Sequence, residues 1–529
     1  MAPATALRPR GTWPRTTGDR TGVRAAVFDW PDSFTFVSRE HPDGRSLSAG
    51  ELAGHARLVH DRLRASGVGP GDRLAVWMSD GPSALASIFG AWAAGASFSF
   101  LPSFAGRAET DRARARVQEV LSVLRPRLLL AGAGEAVPAA LDGMVDTLAV
   151  PAPAPAQEQA ALPPIEAPDD ALAFVQFTSG STGGAKGATI HFGQLRANLA
   201  AISARIALSR QDRMVSWAPL YHDMGLMAVL LPLSAGAGLV LMETAHFVRR
   251  PTAWLEALSR HRGTISTAPP SALKLTTRRR ARDVDLSGWR YAWIGGEAVF
   301  PAVVEAFEDA YAPAGLEKGV IQPTYGMAET VVGISCGAPG QPWRVRDGFI
   351  SCGAPLDGVE TRIADDAGGA LAEGVAGRIL VRGPSVLRGY LGQAPRDPED
   401  WFDTGDLGFM EGGHLHVTGR VKDVLKRGAE SYPAALVEAI AEDALGLATG
   451  RCAAFAHRRA EAGREDIVLL VEARDWSDDH AARVAAAVAR EVGLQLDVIR
   501  GAEGGRLPRT SSGKLMRQQA AALYREGRI

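Results

Sequence analysis

Lysine is scarce in this chain of 529 residues: only six of the 58 basic residues are lysine, at Lys186, Lys274, Lys318, Lys422, Lys426 and Lys514. Arginine therefore fills most places where any positive charge would serve. A lysine kept inside a glycine-rich stretch points to a need for a compact ammonium on a flexible stem, and Lys186 and Lys514 both sit that way. Cysteine is scarcer still. Cys336, Cys352 and Cys452 are odd in number and show no CxxC spacing, which argues against a disulfide framework or a zinc site. An excess of either charge is missing, and a net charge of −1 leaves no electrostatic footprint for nucleic acid or an anionic membrane. The opening MAPATALRPRGTWPRTTGDR has no apolar core of a signal peptide, so a cytoplasmic protein is expected. One run, Met224 to Met242, approaches spanning length without a charge. Pro232, Ser234 and glycines interrupt it, which predicts a buried helix followed by a buried strand.

What remains is ordinary globular material, 46% apolar and 22% charged, long enough for a large cored body and a further domain. The stretches GDRLAVWMS (71–79) and ALAFVQFTSG (171–180) read as buried strands, and PSALASIFGAWAAGA (82–96) as a helix after the first. Strand followed by helix, repeated, predicts an α/β body. The Pro- and Ala-rich segment 150–170 reads as a surface connector between subdomains. Past about residue 420 the texture changes to a compact run ending in a helical KLMRQQAAALYREG. The expected division is a body over 1–420 and a small C-terminal domain over 421–529.

The stretch FTSGSTGGAKG, Phe177 to Gly187, follows a strand and precedes GATIHFGQLRANLAAI, whose start reads as strand and whose remainder is helical. A glycine-rich turn there can aim several backbone N–H groups at one anion while hydroxyls and Lys186 add donors and charge. It is not a Walker A loop, because Ala185 and Gly187 flank the lysine. Taken alone, it is equally a surface loop.

Further stretches resolve the choice by resemblance. FTSGSTGGAKG is similar to the phosphate-binding signature of the adenylate-forming, acyl-activating enzymes. PLYHDMGL (219–226), GGE (295–297), YGMAE (325–329), TGD (404–406), GRVKDVLKRGAESYP (419–433) and LPRTSSGKLMR (507–517) follow in the family's order. The resemblance covers roughly residues 30 to 525. It implies that Thr178, Ser179, Gly180, Ser181, Thr182, Gly183 and Lys186 hold the β- and γ-phosphates of ATP. Tyr325 would stack adenine, and Glu329 would help hold Mg²⁺, a hard cation suited to carboxylate oxygen. Asp406, after a tight TGD turn, would accept the ribose hydroxyls, and Arg420 would contact ribose or phosphate. Lys514 would reach the acyl carboxylate and α-phosphate oxygens, where charge builds in the transition state. The resemblance also places His222 among the catalytic residues, and Gly295, Gly296, Glu297, Thr324, Gly326, Met327 and Gly428 among those that bind nucleotide. Read without it, Glu329, Arg420 and Lys514 are ordinary solvated charges and Asp406 a turn former. The SSGK and SALK stretches also fit a serine-hydrolase S-x-x-K pattern, but no K-T-G or S-D-N partner accompanies them.

The implied fold is a large α/β body, with sheets flanked by helices and a distorted β-barrel, plus a small mobile α+β C-terminal domain. The implied reaction joins an apolar carboxylic acid to AMP and hands the acyl group to a thiol, on coenzyme A or on the phosphopantetheine of an acyl carrier protein. Two features divide these acceptors. Ala328 stands where many acyl-CoA ligases carry Thr, which, with PLYHDMGL, resembles the acyl-AMP ligase branch serving carrier proteins. That branch usually has an insertion after YGxAE, whereas only 21 residues separate Glu329 from Ser351, the shorter spacing of CoA ligases. A diverged member performing one half-reaction is the third reading. No nucleic-acid or integral-membrane partner is expected.

Overall fold

The structure is a computed structural model, and it describes residues 28–102, 111–138, 141, 143–153, 161–178, 184–427, 430–458, 465–473, 475–510 and 514–529. Among these residues two large sheets form the body. The first, nine-stranded, has at its centre the strands Ile321–Tyr325, Tyr291–Ile294, Ile265–Ala268, Arg213–Ser216 and Gly238–Met242, all parallel. The second, six-stranded, runs Thr147–Val150, Leu128–Gly132, Arg73–Trp77, Ser97–Phe100 and Leu172–Thr178 in parallel, and closes on the antiparallel Lys186–His191. Parallel strands need both faces covered. Leu128–Gly132 is accordingly buried along its whole length, and helix Pro82–Ala93 buries every residue from Ala84 to Trp92, so it is apolar all round rather than on one stripe.

The run from Met224 divides as its breakers dictate. Helix Asp223–Ser234 takes Pro232 into its last turn, and strand Gly238–Met242 follows. No helix among the described residues is long and apolar enough to cross a membrane. Helix Phe192–Arg205 follows strand Lys186–His191. A third, antiparallel sheet of Glu360–Ala364, Gly377–Arg382, Phe402–Glu411 and His414–Arg420 carries the next sequence stretches. One expectation fails here. The TGD stretch is not a tight turn but the middle of the ten-residue strand Phe402–Glu411, with Gly405 at φ +76°. Glycine adopts that left-handed backbone without steric cost, so the strand kinks without ending.

Beyond Arg420 a single 3₁₀ turn, Val421–Asp423, leads to residues with cores of their own. Helices Ala434–Ala444 and Asp478–Val492 pack around the sheet of Cys452–Arg458, Glu465–Glu472 and Val498–Ala502, and helix Arg517–Arg525 ends the chain's regular structure. Arg517 binds both oxygens of Glu438, at 2.7 and 2.6 Å, and Asp423 at 3.0 Å. Gln518 donates to the Lys422 carbonyl at 2.8 Å. Contacts that tie this part to the body include Lys274 to Asp443 at 2.6 Å and Arg278 to the Leu447 carbonyl at 2.8 Å.

Candidate active site

The carboxyl ends of parallel strands from both sheets face one crevice of about 2080 Å³, the place where open α/β sheets bind ligands. Gly295–Glu297 follow strand Tyr291–Ile294, Tyr325 ends strand Ile321–Tyr325, and Thr178 ends strand Leu172–Thr178. Backbones meet closely here. A Cβ on Gly326 would lie 1.7 Å from the Val332 carbonyl oxygen, and one on Gly295 2.8 Å from that of Thr324, so any side chain at either position would force the loops apart.

Asp406 is 6% exposed. Its Oδ2 accepts from the Tyr325 hydroxyl at 2.7 Å, and its Oδ1 from Arg420 Nε at 3.1 Å, Arg420 being its cross-strand partner. Burial pushes its carboxyl up, opposed by the Arg420 charge and the Tyr325 hydroxyl. Both oxygens keep lone pairs for further hydroxyl donors. Glu329 is also buried, and desolvation raises its carboxyl although Tyr390 donates to Oε1 at 2.9 Å. The Lys186 ammonium stands 5.5 Å from the centroid of that Tyr390 ring, a cation–π approach. Glu297 is held by the backbone and hydroxyl of Ser271, at 3.2 and 3.1 Å.

Lys514 reaches into this crevice from the far side of the 3₁₀ turn. Its Nζ lies 3.3 Å from Nε2 of His222, a residue 292 positions earlier, and a Cβ on Gly296 would sit 3.6 Å from it. His222 Nδ1 lies 2.6 Å from Asp223 Oδ1. With its proton on Nδ1, the ring donates to Asp223 and turns the Nε2 lone pair to the ammonium. Burial lowers the affinity of Lys514 for its proton, partly offset by Asp223 and Glu297. Burial also lifts the Asp223 carboxyl, but His222 and Lys514 outweigh it and the net displacement is downward. The crevice thus holds a cationic end at Lys514, a buried acceptor at Asp406 and a second acid at Glu329.

Lys186, His222, Gly296, Glu297, Thr324, Tyr325, Gly326, Met327, Glu329, Asp406, Arg420, Lys514 and Thr178 all line this one cavity. Ser179, Gly180, Ser181, Thr182, Gly183 and Gly428 lie outside the described residues. Sequence reading missed Tyr390 and singled out His222 without its neighbour Asp223. The pairing of acid and imidazole was visible in PLYHDMGL; nothing local marks Tyr390. Ala328 is buried and offers no hydroxyl, and the span after Glu329 forms only short strands, Ser335–Cys336 and the hairpin Val345–Arg346 with Phe349–Ile350.

The chain as a whole is similar to known proteins. A Mycobacterium tuberculosis protein named as a ligase is 33% identical over 518 residues, 90% of this chain and 94% of its own. A Caulobacter vibrioides protein named as an acyl-CoA synthetase is 33% identical over 414 residues, 70% of this chain and 71% of its own. A solved structure from work on fatty acyl-adenylate ligases of E. coli and L. pneumophila superposes with a TM-score of 0.81 at 28% identity, covering 94% of this chain and 95% of that one. The AMP-binding enzyme family matches residues 20–391, more than half of the sequence, and the chain belongs to that family.

Proposed function

We propose that the protein activates an apolar carboxylic acid with ATP as an acyl-adenylate and transfers the acyl group to a pantetheine thiol, with coenzyme A as acceptor. The observation that carries this is Lys514, brought by a separate part of the chain to 3.3 Å from His222 in the crevice that also holds Asp406, Tyr325 and Glu329. In the first half-reaction a carboxylate oxygen bonds to the α-phosphorus and pyrophosphate leaves; in the second, a thiol sulfur bonds to the acyl carbon and AMP leaves. Neither attack needs a protein nucleophile, so the chain's contribution is position and charge.

Within that division of labour, Lys514 balances charge on the α-phosphate and carboxylate oxygens, and His222 with Asp223 aims it. Asp406, braced by Tyr325 and Arg420, accepts the ribose hydroxyls. Ile202, Met214, Met227, Leu231, Val332 and Leu356 are among the apolar residues that line the cavity, which suits an apolar acyl chain. Magnesium fits the donor set. Among the described residues no group of three or more His, Cys, Asp or Glu could cage a metal, and Mg²⁺ bound beside a nucleotide takes one or two carboxylates and phosphate oxygens. Glu329 would supply the carboxylate, and the ion would neutralise polyphosphate charge. The domains on this reading are 1–420 and 421–529, joined at the 3₁₀ turn.

A second reading, transfer to an acyl carrier protein, is favoured by Ala328 and by the likeness to fatty acyl-adenylate ligases. Pyrophosphate release and thioester formation, each measured with CoA and with a phosphopantetheinylated carrier, test both. Thioester on CoA supports the first reading, and thioester on the carrier alone supports the second. No pyrophosphate release with any acid tried from short to long chain, while ATP binds, would overturn both.

A further inference from the structure

The strands Leu172–Thr178 and Lys186–His191 form a hairpin in which Thr178 faces Lys186. The backbone groups just at its mouth have partners from outside the hairpin. Arg116 Nη2, on helix Asp111–Leu124, donates to the Thr178 carbonyl at 2.6 Å. Glu119 Oε1, one turn further on, accepts from the Ala185 amide at 2.6 Å. The two side chains pair with each other, Arg116 Nη1 to Glu119 Oε2 at 2.8 Å. A carbonyl, a guanidinium, a carboxylate and an amide thus form one continuous chain of hydrogen bonds across the two ends of the segment. Both side chains border the same cavity as Lys186.

The polarity of this bridge is specific. One strand end exposes an acceptor and the other a donor; the helix supplies the matching donor and acceptor and uses the remaining atoms to join them. A carboxylate beside a loop that is to hold polyphosphate is otherwise out of place, because it repels the ligand. Here its charge is engaged by Arg116 and its other oxygen fixes the residue immediately before Lys186. We propose that Arg116 and Glu119 are positioning residues that clasp the base of the phosphate-binding segment and so set its affinity for the β- and γ-phosphates. This rests on the reading above that the segment holds polyphosphate.

The test is binding of α,β-methylene-ATP and of AMP to the full chain by calorimetry, with Lys186→Met as control. AMP lacks the β- and γ-phosphates, and titrating it in the same sample counts the folded molecules. Glu119→Ala and Arg116→Met should each weaken analogue binding about tenfold, as expected for losing one charge-assisted hydrogen bond, and leave AMP binding within about twofold of parent. Glu119→Gln, which keeps an acceptor for the Ala185 amide, should stay within about threefold of parent for the analogue. Equal weakening of both ligands, no change in either, or Glu119→Gln as weak as Glu119→Ala would overturn the clasp. If Lys186→Met weakens the analogue and the clasp variants do not, the clasp alone is overturned. If Lys186→Met has no effect either, the polyphosphate reading falls and the clasp with it.

Discussion

Replacing Lys514 by alanine should separate the two half-reactions. The ammonium stands 3.3 Å from His222 Nε2 and within the fields of Asp223, Glu297 and Asp406. Its removal takes the compensating positive charge from a crevice already rich in carboxylates. A unit charge about 4 Å from a developing negative oxygen is worth about 4 kcal/mol at an effective dielectric of 20, and removing one such donor costs about 3 kcal/mol in measured cases. Both figures correspond to a loss of about 10²- to 10³-fold in rate. That loss should fall on pyrophosphate release from ATP and acid, whereas thioester formation from added acyl-AMP should stay within a fewfold of parent. The pH dependence adds a second signature. Only charged Lys514 helps, and burial places its pKa below the ordinary lysine value. Pyrophosphate release should therefore hold on the acid side of that pKa and decline as pH rises through it. Asp223→Asn removes a charge that raises it, so the decline should move to lower pH. Equal loss in both half-reactions, or a decline that Asp223→Asn leaves in place, would refute the assignment.

Three further outcomes follow from other parts of the molecule. Asp406→Ala should raise the KM for ATP more than that for the acid, by about 1.5–3 kcal/mol for each charge-assisted hydrogen bond lost; titration of 2′,3′-dideoxy-ATP checks it, since the penalty for removing the hydroxyls should vanish in the variant. If the C-terminal part turns at the 3₁₀ turn between the two half-reactions, Lys422→Pro, which fixes φ and removes an N–H there, should leave adenylation within a fewfold of parent while thioester formation falls about a hundredfold; normal thioester formation by a well-folded variant would refute that rotation. Glu442 is raised to about 7 by burial and by the neighbouring Glu438. Its folded pKa exceeds its unfolded one, so it favours the fold at acid pH and that contribution is lost as pH rises toward and through 7. Glu442→Gln keeps an acceptor for the amides of Arg451 and Cys452 and should raise Tm at pH 8, by up to about 3 kcal/mol in stability, and leave it unchanged near pH 4; a lowered Tm at pH 8 would refute this.

The parts of the site that sequence made legible are those where chemistry is written locally. A glycine that must let two backbones come close, as at Gly326 and Gly295, lies within two residues of the tyrosine or acid of its stretch, Tyr325 or Glu297, and the breakers within Met224–Met242 set off the helix from its strand. The stretch TGD misled because threonine, glycine and aspartate are turn formers by local preference, and long pairing with two neighbouring strands overrode that preference. Helix Pro82–Ala93 stops three residues before the apolar run does, since composition alone does not mark its end. Tyr390, Arg116 and Glu119 left no trace because each acts on a group far away in sequence, and such contacts follow from topology rather than from neighbours.

The pairing of Arg517 with Glu438 and Asp423 has a consequence for the direction of the reaction. It binds the start of the C-terminal part to the segment three residues past Lys514, so that the 3₁₀ turn and the segment carrying the ammonium are tied together. A group that speeds formation of the mixed anhydride speeds its reversal by pyrophosphate equally, by microscopic reversibility. If the C-terminal part turns at Val421–Asp423 to admit a thiol, as Lys422→Pro tests, it would carry that group away from the acyl-AMP left behind. Such a motion would open the route forward and withdraw the assistance for going back, a ratchet set by where one arginine is tied.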